Sequence, residues 1–361
     1  MIRKISLGIV LAVWLSLTVF CIIKPQDDFS SAERRQLSKF PEVSVNSVAS
    51  GKFASEFEAY TLDQFPLRDR FRTIKAVTEF DLLGKLDNND IYIQDGQAAQ
   101  LLYPLSENSV NNAAEKITSI YETYIEGSDC NVAVVPIPDK GYYLAEKNGY
   151  PSLDYGRMFD ILREKLPFAT FCDITDTLDE DSYYPTDTHW KQENLLPTAQ
   201  KIADIFGVSV YDGEVKTAKE DFYGVYYGQS ALPLKADKIN YITNDSIENL
   251  TAYNYETNET GGVYVSEKLD GRDAYDFFLF GASPLVEIKN PECTTGRELV
   301  IFRDSYTSSI APLLVKDYSR VLLVDTRYMS SAFIGQYIDF ENQDVLFMYS
   351  TSLLNSSYVL K

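Results

Sequence analysis

Leu299-Val300-Ile301-Phe302-Arg303-Asp304-Ser305-Tyr306 is the stretch on which the fold turns. Four apolar residues without alternation read as a strand buried on both faces, as inside a parallel sheet. A helical pattern over 306–317 begins at once, so Asp304 and Ser305 fall on the strand-to-helix junction. Similar apolar runs lie at 132–137, 171–174, 321–324 and 345–348, and helical patterns separate the runs at about 155–166, 192–206 and 331–338. This alternation predicts an α/β protein with a doubly wound parallel sheet, whose sites form at the carboxyl ends of the strands. Residues 207–297 break the pattern. They are rich in Tyr, Asp, Asn and Gly, with β-prone pieces at 222–227 and 262–265, and are expected to form a mostly β insertion.

Upstream, Phe53, Phe57, Tyr60, Phe65, Phe71 and Val77 recur at helical spacing, interrupted by Pro66. A short strand at 91–93 and an amphipathic helix over 107–126 follow. Residues 5–23 carry no charge and, as a helix at ~1.5 Å per residue, would reach about 28 Å, close to the hydrocarbon thickness of a bilayer. Arg3 and Lys4 on the short leading flank favour a cytoplasmic N-terminus and export of the rest. No small-residue cleavage site follows. The expectation is an uncleaved transmembrane signal-anchor over 1–29, a stalk and helical region over 30–126, and an α/β domain over 127–361. The protein would then be a single-pass membrane protein with its C-terminal domain extracytoplasmic.

Composition excludes other classes. Of 361 residues, 53 are acidic and 33 basic, giving a net charge of -20 that repels nucleic acid. A hydrophobic content of 45% is enough to build a core, so disorder is excluded. Four cysteines are too few for a disulfide scaffold. Cys130 and Cys172 lie in runs that would allow one bridge if their strands are neighbours; buried free thiols are the alternative. One histidine and no cysteine cluster leave no zinc site, and neither a metal nor a cofactor is implied.

That single histidine sits in Tyr183-Tyr184-Pro185-Thr186-Asp187-Thr188-His189-Trp190. In extended backbone, residues i and i+2 share a side, so Asp187 can reach Nδ1 of His189 and leave the other nitrogen free as a base. Ser305, at the elbow after its strand, supplies a nucleophile, and backbone N–H groups at the helix start can face an oxyanion. Asp187, His189 and Ser305 would then form a triad. The same residues also fit a packed histidine beside a tryptophan and a serine N-cap.

The sequence resembles the DHHW family, SGNH-hydrolase-like exported proteins related to the alginate O-acetylation proteins. The name-giving motif stands here as Asp187-Thr188-His189-Trp190, and the serine element as Asp304-Ser305-Tyr306. Further matches are Glu33-Arg34-Arg35-Gln36-Leu37 with Phe40-Pro41, Asp63-Gln64-Phe65-Pro66 with Arg68-Asp69, Pro136-Ile137-Pro138-Asp139-Lys140, and Val324-Asp325-Thr326-Arg327-Tyr328. Three positions depart from the pattern. Thr188 holds the motif's second place, and Lys191 follows the Trp where relatives often carry Asn. Arg303 stands where a Gly-Asp-Ser elbow has its Gly, so the turn must be made differently.

The resemblance implies a circularly permuted SGNH-like core with the serine block near the C-terminus. It also implies acyl-ester chemistry on a cell-surface or exported polysaccharide, with an integral membrane acyltransferase as acyl donor. The main expectation is an O-acyltransferase or acetylesterase with Ser305, His189 and Asp187 catalytic. Asp139 and Lys140 follow the first strand, and Asp325 and Arg327 the fourth, so all four should share a rim with Ser305. Lys140, Arg327, Tyr306 and Trp190 are expected to bind substrate, although Arg327 also fits an ion pair with Asp325 and Trp190 a core plug. The alternative expectation is a catalytically inactive glycan-binding or scaffold protein on the same fold.

Overall fold

The computed structural model describes residues 2–30 and 32–361, with the backbone alone for Ile2, Arg3, Lys4 and Ile22. The flank of Arg3 and Lys4 therefore lies outside the described side chains. Contacts divide the chain into two compact units. One runs to Asn89 and adds Tyr227–Pro233. The other joins Asp90–Tyr226 to Leu234–Lys361.

The N-terminal unit starts with helix α1, Ile2–Ile23. Its apolar side chains are exposed all round, Ile5 at 53% and Trp14 at 71%. Among the described residues no helix is long and apolar enough to cross a membrane. Helices α2, Lys52–Asp63, and α3, Arg68–Val77, follow on either side of the break at Pro66. Asp63, nearly buried at the end of α2, accepts from both Arg35 Nη atoms (2.8 and 2.6 Å) and from the Ser38 amide (2.8 Å). Glu33 pairs with Arg68 and Arg72. Several of the family-like residues of this region thus meet in one ion network that pins the polar segment after α1 onto α2 and α3.

In the larger unit, hairpin strands β1 (Ile91–Gln94) and β2 (Gln97–Gln100) precede α4 (Glu107–Ile120). Then come β3 (Asn131–Ile137), α5 (Tyr155–Lys165), β4 (Thr170–Phe171) and α6 (Leu196–Phe206). Strands β5 (Glu214–Phe222) and β6 (Asp237–Thr243) form a separate ribbon. Next are β7 (Thr251–Asn254), β8 (Glu259–Gly261) and β9 (Leu285–Lys289). The chain closes with β10 (Glu298–Arg303), α7 (Thr307–Leu314), β11 (Arg320–Val324) and β12 (Asp344–Ser350).

Eight strands make the main sheet in the order β8-β7-β9-β11-β10-β12-β3-β4. From β11 to β4 all neighbours are parallel. Strands β9, β7 and β8 extend it antiparallel. The sheet is therefore mixed, not wholly parallel as expected. The link at 290–297 leads from β9 to β10, two places along the sheet, and is shorter than the dozen or so residues a parallel crossover needs. Strand β9 therefore runs against β10, and so against β11, which lies between them and is parallel to β10. The supposed insertion is in part this antiparallel flank. Residues 222–227 are not a strand either, since β5 ends at Phe222.

The apolar runs are continuous because both faces are covered. Ile301, Leu323, Leu346 and Val135 face α6 and α7, while Val300, Phe302, Leu322, Phe347 and Val134 face α4 and α5. Each such side chain contributes roughly 1.5–3 kcal/mol by leaving water, so a charge at Val300 would break the layer. From β10 the chain passes through α7 to β11 on one side; from β11 it returns to β12 on the other. The carboxyl end of β10 is therefore a topological switch point, where α/β sheets open a crevice.

All four cysteines are free. Strands β3 and β4 are neighbours, but Phe171 pairs with Val134, which places Cys172 level with Val135, about five residues, ~16 Å, along the sheet from Cys130.

Candidate active site

Ser305 stands beyond the end of β10, with one residue, Asp304, between. The turn is made by Asp304, whose carboxylate accepts from the Tyr306 amide (3.1 Å) and from the Ser350 amide at the end of β12 (2.8 Å). Arg303, fully buried, donates to Ser308 Oγ in the first turn of α7 (2.8 Å) and to the Gly281 carbonyl (3.2 Å). Two side chains thus brace an elbow that a glycine would otherwise make. Among the described residues the Ser305 amide has no hydrogen-bond partner, so this donor remains available beside the hydroxyl.

The loop 183–190 is held by a bridge between Tyr183 and Trp190 and by the Tyr184 amide bonding to the His189 carbonyl (3.0 Å). His189 Nδ1 lies 2.6 Å from Asp187 Oδ1, and His189 Nε2 lies 2.8 Å from Ser305 Oγ. With the proton on Nδ1, the ring donates to Asp187 and accepts from the serine hydroxyl. Asp187 Oδ1 also accepts from the His189 amide (3.0 Å). The structure therefore brings Asp187, His189 and Ser305 together in hydrogen-bonding order, with His189 only 7% exposed.

Four contacts stitch this loop to the elbow. The Tyr306 hydroxyl donates to the Thr188 carbonyl (2.7 Å), and Thr188 Oγ1 lies 2.9 Å from the same hydroxyl. Trp190 Nε1 donates to the Tyr306 carbonyl and to Ser309 Oγ, both at 2.9 Å. The Thr at the motif's second position is thus a tie to Tyr306.

Sequence reading missed two residues here. Gly224 presses so closely on Asp187 that an added Cβ would lie 2.2 Å from the Asp187 Cβ. Its amide donates to Thr186 Oγ1 (2.9 Å) and the next amide, Val225, to Asp187 Oδ2 (2.8 Å). These amides serve the Asp187 loop rather than a strand ladder, which is why β5 stops where it does. Tyr275 stacks flat on His189, with ring centroids 3.8 Å apart and planes 9° from parallel, and its hydroxyl donates to Ser309 Oγ (2.8 Å).

Several expected substrate contacts are turned inward. Lys140 is 2% exposed, and its Nζ donates to the carbonyls of Ala98 (2.7 Å) and Tyr184 (2.6 Å). It braces the start of the His189 loop and has no surface to offer a ligand. Burial pushes its pKa down to about 7. Trp190 is fully buried, the core plug of the two readings. Asp139 is also buried, accepting from Tyr155, Thr351 and the Gly141 amide. Tyr306 lines the cleft, but its hydroxyl is engaged by Thr188. Arg327 lines the cleft too, and pairs with Asp325 through Nε (2.9 Å) and Nη2 (2.6 Å). The cleft beside Ser305 measures about 570 Å³, within the usual ligand-pocket range of roughly 300–1,000 Å³.

No protein-family model and no curated protein matches the chain. Solved structures do. A DHHW family protein from Eubacterium siraeum aligns with a TM-score of 0.60 at 22% identity, covering 76% of this chain and 97% of that one. Bacillus cereus PatB1, solved with a sulfonyl adduct, aligns with a TM-score of 0.58 at 18% identity, covering 73% and 95%. The mixed, mostly parallel eight-stranded sheet, with Ser305 at its switch point, is thus the α/β fold that these two proteins share.

Proposed function

We propose that this protein is a serine O-acyltransferase or acetylesterase that acts on a cell-surface or exported polysaccharide, tethered to the outer face of the membrane by α1. The observation that carries the chemistry is the relay from Ser305 Oγ through His189 to Asp187, at 2.8 and 2.6 Å, on the lip of an open cleft. The motif resemblance to the DHHW family supports an acetyl ester as substrate and an integral membrane acyltransferase as the source of the acetyl group. The apolar side chains exposed all round α1 support the tether.

His189 Nε2 takes the Ser305 proton as Oγ attacks the acetyl carbonyl carbon. Asp187 holds the Nδ1–H and stabilises the imidazolium. The Ser305 amide faces the oxyanion. As the ester C–O bond breaks, His189 returns the proton to the departing oxygen, leaving acetyl-Ser305. A sugar hydroxyl or water then gives its proton to His189 and attacks the acetyl carbon. Collapse restores the Ser305 hydroxyl and releases the acetylated sugar or acetate.

The test is intact-mass spectrometry of the full chain in detergent after brief exposure to an activated aryl acetate, and separately to a sulfonyl fluoride. Wild type should gain one adduct, mapped to Ser305, and Ser305→Ala and His189→Ala should gain none. No adduct and no phenol release above background, from folded protein, would overturn the acyl-enzyme. Release of the protein from membranes by alkaline carbonate would overturn the tether.

A further inference from the structure

We propose that the ring of Tyr328 is the seat of the acyl acceptor, and that the acceptor it fits is an uncharged sugar rather than a uronic acid. Tyr328 is 52% exposed and lines the same cleft as Ser305. The Arg327 guanidinium lies 5.3 Å from its ring centroid, on the stem that leaves β11. An aromatic ring held this way offers an apolar face to the C–H face of a pyranose while the cleft edge supplies hydroxyls. Those hydroxyls are Ser352 and Ser356, which both line the cleft; Ser350 behind them is buried, and its Oγ lies 3.0 Å from that of Ser352.

Charge selects the class of sugar. Among the described residues Arg327 is the only cation lining the cleft, and it is engaged through two nitrogens by Asp325, which is fully buried. A carboxylate on the ligand would compete with that pair and meet Asp304 in the same cleft. The net charge of -20 adds a long-range field that repels anions. Among the described residues the cleft therefore offers stacking and hydroxyls, without free positive charge.

The proposal rests on the acyl-transfer reading only for the word acceptor, so binding tests it without turnover. The full-chain Ser305→Ala variant in detergent is titrated with cellohexaose, N-acetylchitohexaose and hexagalacturonate at low salt. At least one neutral hexamer should bind about tenfold or more tighter than the uronate. Adding Tyr328→Ala should weaken it about tenfold, and Tyr328→Phe should hold it within about twofold. Equal or tighter uronate binding, no effect of Tyr328→Ala, or no binding of any hexamer would overturn the proposal. Competition against acetylation of wild type gives the same ranking should Ser305→Ala fold poorly. If wild type forms no acetyl-Ser305 but shows this binding pattern, the catalytic reading falls and this one stands. If it forms the adduct without the pattern, the reverse holds.

Discussion

Gly224→Ala is the perturbation that tests the site most sharply, because it alters no group that takes part in the chemistry. The added methyl would sit 2.2 Å from the Asp187 Cβ, 2.4 Å from the Thr186 carbonyl oxygen and 2.5 Å from the Asp187 Cα. Carbon atoms pack no closer than about 3.5 Å, so the two segments must part by more than ~1 Å. The bond from the Val225 amide to Asp187, 2.8 Å long, then stretches past its useful range, and Asp187 turns away from His189. A shift of ~1 Å in a catalytic group costs on the order of a hundredfold in rate, and overpacking costs about 1–3 kcal/mol of stability. Gly224→Ala should therefore lower kcat/KM for an aryl acetate by about a hundredfold and lower the Tm measurably. Gly156→Ala is the control, since its added methyl meets only Asp154 Oδ1, at 3.6 Å. Activity within about threefold of wild type with an unchanged Tm would refute the close approach and the positioning role of residues 224–225.

Tyr275→Leu removes the ring stacked on the imidazolium and should lower kcat/KM roughly tenfold to thirtyfold, whereas Tyr275→Phe keeps the stack and should recover most of it; equal losses in both would assign the effect to the bond with Ser309. Lys140 carries a pH signature. Its folded pKa of about 7 lies below the ordinary lysine range, so between pH 7 and about 10 the unfolded chain holds a proton that the folded state does not. Stability rises with pH wherever the unfolded state binds more protons. The Tm of wild type should accordingly climb relative to Lys140→Met from pH 7 to 10 and run parallel to it below pH 7; a constant difference across the whole range would refute the burial cost.

The parallel half of the sheet was legible because its strands are apolar at every position, a pattern that two covered faces impose. The antiparallel half was not, because Val286-Glu287-Ile288-Lys289 alternates like any exposed strand and its partners are set by contacts distant in sequence. Asp187 and His189 were legible because the chain's single histidine stands two residues after an aspartate, and Ser305 because it follows a continuous apolar strand. Gly224 and Tyr275 were not. Gly224 acts on a residue far back in the chain, and Tyr275 is one tyrosine among 26, with nothing local to mark it. Lys140 and Trp190 misled for the opposite reason. A cation and an indole at the rim of a sheet suggest ligand contact, but burial turns both to bracing the loop.

The two borders of the main sheet have a consequence of their own. Strand β8 at one border is three residues long and β4 at the other is two. Unpaired backbone at the side of a sheet is what lets one molecule add to the next, and longer stretches propagate into fibrils. Two copies meeting along these borders would share too few amide and carbonyl groups to zip together there.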